Sequence, residues 1–478
     1  MDAAEFRKRG HEMVDYIANY YETMRERPVM SEVSPGYLRP LIPAEAPAEG
    51  ESWESIVADV ERVIMPGVTH WQHPRFHAYF PGGSSFPSIL GDMLSDAIAC
   101  VGFNWVCSPA CTELETVVLD WLGRAVGLPD AFLAQHRNGE NGHGGGVIQG
   151  TASEAVLVCM LAARAKAINE LRAAQTAQGV QPEDEGIIMA RLIAYGSEST
   201  HACIEKAARV SGVRFRAITT GADHRLVAAN LTQAIAEDRA AGLIPFFVCS
   251  TSGTTSTCAY DDHVGLGAIC NAEKIWLHID AAYAGAAYVC PEFRSTMAGV
   301  ESADSLLDLV QRHLLISAFN ITPEYLRNAM SESGLVTDYR NWQVPLGRRF
   351  RSLKLWFVLR SYGIAGLQAH IRKAVGLASR FDALVRKDDR FEVVYPTTLS
   401  LVCFRLKGDN ELSSKLLEAV SAAKLLLMIH TVVKGVYILR FSIGAPQTTE
   451  ADIDSAWAHI ASLATGILAN HAAAIPSA

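Results

Sequence analysis

The chain has little of what would take a protein out of the cytosol or onto a charged partner. Its ten cysteines are scattered, and none form a Cys-x-x-Cys pair. Cys107 and Cys111 lie close together, but no histidine cluster joins them, so a metal site is not expected and reduced, buried thiols are. No apolar run approaches the ~18 residues of a membrane span. The alanine-rich tail from Ala456 to Ala474 comes nearest, and His459, Asn470 and His471 interrupt it. The first residues, Met1 to Lys8, open directly into charged amphipathic sequence without a signal-peptide apolar region, which predicts a cytoplasmic chain. No Lys/Arg block stands out and the net charge is −9, which argues against nucleic acid or an anionic membrane as partner.

What is present reads as a globular enzyme. At 478 residues, 49% hydrophobic and 19% charged, the chain is too long for one core, and two or three domains are expected. From Glu5 to Arg27, Phe6, Met13, Ile17, Tyr20 and Met24 recur at spacings near three and four, the mark of an amphipathic helix. No core of its own lies beside it, so it is expected to pack on another domain or subunit. A proline-rich linker, Ser34 to Pro43, and a second helix, Trp53 to Ile64, follow. From Gly91 to Gly299 helices alternate with short apolar strands. Helices are expected at Thr151–Ala167 and His201–Ser211. Strands are expected at Gly186–Ala194, Arg214–Ile218, Ile244–Cys249 and Ile275–Asp280. That alternation predicts a mostly parallel α/β sheet covered on both faces. A long helix at Arg349–Tyr362 then leads into a smaller α+β region, with strands at Phe391–Tyr395, Leu399–Leu406 and Val436–Ile443 and a helix near Leu412–Ala423. The expected division is 1–85 as an N-terminal helical segment packing on a partner subunit, 86–348 as a large α/β domain, and 349–478 as a small C-terminal α+β domain.

Chemistry concentrates in a few segments. The apolar run Ile275–Ile279 delivers Asp280 to its carboxyl end, where ligands bind in open α/β sheets. A buried carboxylate there either caps the following turn or meets a cation, such as the protonated ring nitrogen of pyridoxal phosphate. Gly142 to Ala155 is a glycine-rich loop running into a helix, and Thr151 and Ser153 place hydroxyls beside its free amides. This is an anion site or an ordinary helix cap, and it matches neither the P-loop nor the dinucleotide pattern. Cys249 to Thr257 adds hydroxyls after a strand. His201, at the start of a helix, either lies on an aromatic ring or is a satisfied structural residue. The aromatic-rich stretches His73–Gly83 and Val101–Glu115 suit either core or a pocket for a flat substrate.

The strings HPRFHAYFP, SPACTELE, GVIQGTASEA, HIDAAYAGAAYVCPEF, TPEYLRN, DYRNWQVPLGRRFRSLKLWFVLRSYG and LRFSIGAP run in order along essentially the whole chain. Together they resemble the group II pyridoxal-phosphate decarboxylases, and within them the aromatic L-amino-acid decarboxylases. The resemblance implies a fold-type I architecture and a homodimer that converts aromatic L-amino acids to amines and carbon dioxide with pyridoxal 5'-phosphate. It also implies roles for individual residues. Asp280 would pair with the ring nitrogen, Ala282 would touch the ring and His201 would stack on its other face, taking part in catalysis. Thr151, Ala152 and Ser153 would hold the phosphate, with Thr254 near the cofactor. Phe80, Pro81, Val101, Phe103 and Gly347 would line the substrate pocket, with Leu346 contributed from the partner subunit. Tyr325 would protonate the α-carbon after carbon dioxide leaves. Family members with Phe at that position are associated with aldehyde-forming chemistry, so Tyr325 implies simple decarboxylation. Gly347 resembles the dopa- or tryptophan-type pocket, where histidine decarboxylases tend to have serine, while Gly82 departs from a frequent threonine.

One departure is chemical. Relatives follow Ala-Asp-Ser with a segment containing Asn-Pro-His-Lys-Trp, whose lysine forms the Schiff base with the cofactor. Here Ala303-Asp304-Ser305 runs straight into Leu306 to Asn320, and no lysine occurs between Lys274 and Lys354. Lys206, Lys274 and Lys354 are expected to be surface residues, so no covalent anchor is identified. Three readings follow: a decarboxylase whose recorded sequence lost a segment, a non-catalytic paralogue or isoform that binds cofactor or modulates a dimer, and a chain that keeps the fold but changes the chemistry, using cofactor without a lysine anchor.

Overall fold

The computed structural model describes residues 1–306, 309–310, 312–321, 323–333 and 335–474. The chain divides into two units, Met1–Ser84 with Arg372–Ala478, and Ser85–Ile371.

The first unit begins with helix α1 (Ala3–Glu22), started by the Asp2 carboxylate, which accepts from the Ala4 and Glu5 amides. None of its residues is buried, and Phe6 and Val14 point apolar surface outward. A short helix α2 (Trp53–Asp59), capped by Ser52, widens into a π-type turn over Val60–Ile64.

The second unit carries the large sheet. Helices α3 (Phe86–Ile98) and α4 (Pro109–Val126) precede it, each capped by a serine, Ser85 and Ser108. Helix α5 (Ala152–Ala177) is capped by Thr151, whose hydroxyl accepts from the Glu154 amide. Residues 186–191, expected as strand, are instead part of helix α6 (Glu185–Arg191). Asp184 caps that helix by accepting from Gly186, and Ile187 faces solvent, so its apolar residues do not continue the buried run. The strand β1 is Leu192–Ser197. Helix α7 (Cys203–Val210), strand β2 (Arg214–Ile218), helix α8 (Ala228–Ala240), strand β3 (Ile244–Thr251), helix α9 (His263–Glu273) and strand β4 (Trp276–Asp280) complete the alternation. Strands β5 (Ser305–Leu306) and β6 (Leu309–Val310) close the sheet, in the order β2-β1-β3-β4-β5-β6. All pairings are parallel except β5 with β6. Strands β1 and β4 are buried throughout, which is why they read as unbroken apolar runs. Val156 and Met160 of α5, Phe247, Trp276 and Trp342 share the core against this sheet. The departure from the family strings falls between β5 and β6, and Leu307, Asp308 and Gln311 lie outside the described residues. Helices α10 (Arg312–Phe319) and α11 (Ala329–Glu332) follow.

Helix α12 (Arg351–Arg386) carries the chain back into the first unit and is broken at Gly363, where φ is 61°. There an antiparallel sheet of β7 (Phe391–Val393), β8 (Leu401–Leu406), β9 (Ile429–Val433) and β10 (Val436–Ser442) runs in the order β7-β8-β10-β9. Helices α13 (Asn410–Ala423) and α14 (Glu450–Ala474) cover it. Phe381 and Phe441 stack at 3.8 Å in its core. The edge strand β9 has no counterpart among the expected strands. Its burial alternates between half-buried and exposed residues up to Val433, so no apolar run marks it.

Candidate active site

The carboxyl ends of β3 and β4 finish level, because Thr251 pairs with Asp280 in register. A strand buried along its whole length leaves its terminal side chain no route to bulk water, and Asp280 is 7% exposed. One carboxylate oxygen accepts from the Ala282 amide at 3.0 Å, so Asp280 does cap the turn after β4. Neither arginine nor lysine forms an ion pair with it among the described residues, and Ala282 beside it is exposed. The site therefore presents a shielded carboxylate with no positive partner among the described residues.

Around that carboxylate the structure assembles three further segments. The amino terminus of α5 is exposed at Thr151, Ala152 and Ser153, leaving its first amides open. Cys203 opens α7, and its thiol is pushed up to about 11 by burial first and by the nearby Asp280 charge second. A hydrogen bond with the Ser153 side chain pulls the other way, which sets Ser153, Cys203 and Asp280 side by side. The buried Cys249 thiol of β3 is likewise raised, by burial and then by Asp280. Thr200 meets Thr251 at 3.2 Å between hydroxyls. His201 is exposed, and its Nδ1 accepts from the Cys203 amide at 3.2 Å, which fixes the ring while leaving it open to a ligand.

Thr254 is fully buried inside the turn after β3, where its hydroxyl accepts from the Ala259 amide at 3.0 Å and meets the Thr257 hydroxyl at 3.2 Å. The glycine run also has a packing purpose. A Cβ on Gly142 would lie 2.2 Å from the Leu133 carbonyl oxygen, and one on Gly144 2.3 Å from that of Ala131. The open amides of this segment are thus those of the helix terminus, and the glycines let the preceding loop lie flat on its neighbours.

The pocket segments converge separately. Val101 is exposed, Phe103 is half-buried, and a Cβ on Gly347 would sit 3.6 Å from Val101 Cγ1. The backbone is tied here by Gly102 N to Arg348 O at 3.3 Å and Arg340 N to Phe103 O at 3.0 Å. Leu346 and Gly347 are exposed alongside. Tyr325 is 79% exposed in the turn Glu324–Leu326 and makes no hydrogen bond or ring contact with another described residue. Phe80 and Pro81 belong to the other unit, where the Arg440 guanidinium lies over the Phe80 ring and Pro81 packs on Gly444. Lys206 and Lys274 are exposed, and Lys354 pairs with Asp92 at 2.5 Å.

A shielded carboxylate, an open helix terminus and an uncovered imidazole beside them form the donor set that a phosphorylated, protonated heteroaromatic ring requires. A family model for the pyridoxal-dependent decarboxylase conserved domain matches residues 35–308 and 307–407. The chain belongs to the pyridoxal-dependent decarboxylases. An aromatic-L-amino-acid decarboxylase from Cavia porcellus is 52% identical over 485 residues, covering 98% of this chain and 99% of that protein. Among solved structures, Oryza sativa TDC with PLP and tryptamine matches with a TM-score of 0.92 at 39% identity. Catharanthus roseus tryptophan decarboxylase in complex with L-tryptophan matches at 0.88 and 42%. Each covers 98% of this chain and 99% of its own. The fold-type I architecture that the motifs imply is the one these decarboxylases share with this chain.

Cys203, Thr200, Glu115 and Arg348 were not singled out from the sequence. Cys203 carries no motif of its own. Glu115 had a signal, because Cys111, Glu115 and Val118 fall at the four-then-three spacing of a buried helix face, where a carboxylate is out of place.

Proposed function

We propose that this chain binds pyridoxal 5'-phosphate and acts on aromatic L-amino acids, releasing carbon dioxide and the corresponding amine. The observation that carries the reading is the unpaired, shielded Asp280 carboxylate beside the open amino terminus of α5. In this reading the amides of Ala152 and Ser153 and the Thr151 hydroxyl hold the phosphate. Asp280 keeps a proton on the ring nitrogen, since a neutral ring would leave its own charge uncompensated. Ala282 is small enough to let the ring lie flat, and His201 covers the opposite face. Thr254 keeps the turn beside them closed. Bound there, pyridoxal phosphate supplies an electron sink for the bonding pair released when carbon dioxide departs. Val101, Phe103 and Gly347 form walls for a flat side chain, and Leu346 comes from a second copy of the chain. Tyr325 delivers the proton to the substrate's α-carbon. The named activities of the relatives support the substrate class.

The homodimer is part of this proposal and is supported by exposed apolar side chains on α1 and α3. A cytoplasmic location suits ten free cysteines, and no described helix is long and apolar enough to cross a membrane.

A second reading, cofactor binding without turnover, is favoured by the lack of any lysine between Lys274 and Lys354. The family match, split into segments that meet at residues 307–308, supports a local loss at that point. Incubating the purified chain with pyridoxal phosphate and L-tryptophan or L-dopa, and measuring amine formed, tests both. Amine formation that needs the cofactor supports the decarboxylase. Saturable cofactor binding with no amine supports the non-catalytic chain, and failure to bind cofactor removes both readings.

A further inference from the structure

The side chain that organises this pocket lies beneath it. Glu115, on α4, is 1% exposed, a position where a carboxylate persists only if strong donors meet it. Two do. One oxygen accepts from the Ile148 amide at 2.8 Å, and the same oxygen forms an ion pair with the equally buried Arg348. Arg348 is held flat by the Tyr339 ring, 4.4 Å from its guanidinium, and the Tyr339 hydroxyl meets Thr116 at 3.0 Å.

Each partner belongs to a different wall of the site. Ile148 lies three residues before Thr151, in the loop that delivers the amino terminus of α5, and Gln149 is tied to the Trp342 carbonyl at 3.2 Å. Arg348 directly follows Leu346 and Gly347, and its carbonyl accepts from Gly102, between Val101 and Phe103. One buried oxygen thus joins the phosphate side to the aromatic side.

We propose that Glu115 is a positioning residue that fixes the phosphate-binding loop and the substrate wall to one another, so that cofactor and substrate affinity depend on it together. This rests on the reading of Thr151–Ser153 as the phosphate site. Burial pushes the Glu115 carboxyl up, and Arg348 pulls it back. Removing one partner strands a buried charge, whereas replacing both by apolar groups of similar size leaves a foldable core.

The test uses the full chain as Glu115→Gln and as the double variant Glu115→Leu/Arg348→Met, with folding followed by circular dichroism and thermal melting. Affinities are measured by fluorescence titration for pyridoxal phosphate, for pyridoxal, which lacks the phosphate, and for tryptamine. The expected result is a folded double variant whose pyridoxal phosphate affinity falls about tenfold or more, as losing a charge-assisted bond implies. Pyridoxal affinity should fall much less, and tryptamine affinity should fall with that of pyridoxal phosphate. A folded double variant that binds pyridoxal phosphate and tryptamine within about twofold of the unaltered chain overturns the proposal. So does an equal loss for pyridoxal phosphate and pyridoxal, or a pair of variants that both fail to fold, since either marks a purely structural pair. An unaltered chain that binds pyridoxal phosphate no better than pyridoxal has a different meaning, because it removes the phosphate site itself.

Discussion

Asp280 is held at a cost to the ligand-free chain, since its carboxylate is shielded and, among the described residues, accepts from the Ala282 amide. Asparagine keeps that acceptor and removes the charge. Asp280→Asn should therefore leave the melting temperature unchanged or raise it, while lowering pyridoxal phosphate affinity at least about tenfold. Calorimetry and titration on the same preparation check this, and a lower melting temperature with unaltered affinity would show the carboxylate to be a turn cap alone. Buried histidines carry a second residue-scale effect. Burial lowers His263, His278 and His73 to about 4 and His77 to about 3. Their unfolded value is near 6.5, so the stability they contribute is complete above that pH and is lost as pH falls towards about 4. For His263 this is on the order of 3 kcal/mol. Asp261 works oppositely. Burial raises it to about 7, so its contribution is present below the usual carboxylate range and lost as pH rises towards about 7. Burial raises Glu115 and Asp304 in the same direction as Asp261, but it lowers His70 and His459 along with the four histidines above. The six histidines outweigh the three carboxylates, and the melting temperature should fall as pH is lowered from 7 to 4.5. Thermal melts across that range that stay flat or rise would contradict the balance.

At the scale of elements, α3 is built inside out. Its buried residues are Ser88, Gly91 and Ser95, while Phe86, Leu90, Met93, Leu94 and Ile98 are exposed. The small residues are buried for a reason of distance, because a Cβ on Gly91 would lie 2.9 Å from the Lys354 backbone. Leu90, Met93, Leu94 and Ile98 form an exposed apolar face on this helix, which suits contact with a second copy. On the proposed homodimer, the unaltered chain should sediment as a dimer, and Leu90→Asp with Leu94→Asp should leave a folded chain that sediments as a monomer. An unaltered chain that is monomeric at micromolar concentration would discard the interface. This inversion was not legible beforehand, since an apolar stripe says that a helix face is covered and not what covers it. Strands were legible where they were buried on both faces, as with β3 and β4, whose apolar runs end in Thr251 and Asp280. Expectation failed at 186–191, where Gly-Ile-Ile-Met has strand-like composition but a capping aspartate two residues earlier starts a helix. The site followed the same pattern. Asp280 and Thr151 announce themselves by position at the end of a strand and the start of a helix. The Glu115–Arg348 pair spans 233 positions and appears only once the chain has folded.

For the molecule as a whole, the proposed cofactor site stands in a chain with no lysine between Lys274 and Lys354 to tether what it would hold. In that proposal, phosphate at the α5 terminus and a ring nitrogen at Asp280 would be additive but reversible interactions. Binding should therefore stabilise the chain by mass action, in proportion to the logarithm of free ligand over its dissociation constant. The melting temperature should climb steadily with added pyridoxal phosphate and return to its starting value after gel filtration into cofactor-free buffer. Borohydride should fix no cofactor to any peptide of the chain, because the lysines nearest in sequence to Asp280 and Tyr325 are the exposed Lys274 and the Asp92-paired Lys354. A cofactor–lysine peptide recovered after reduction would overturn this account and would identify the amine that holds the cofactor. Retention of cofactor through gel filtration without such a peptide would mean that the noncovalent contacts alone hold it tightly, with Glu115 the first side chain whose removal should release it.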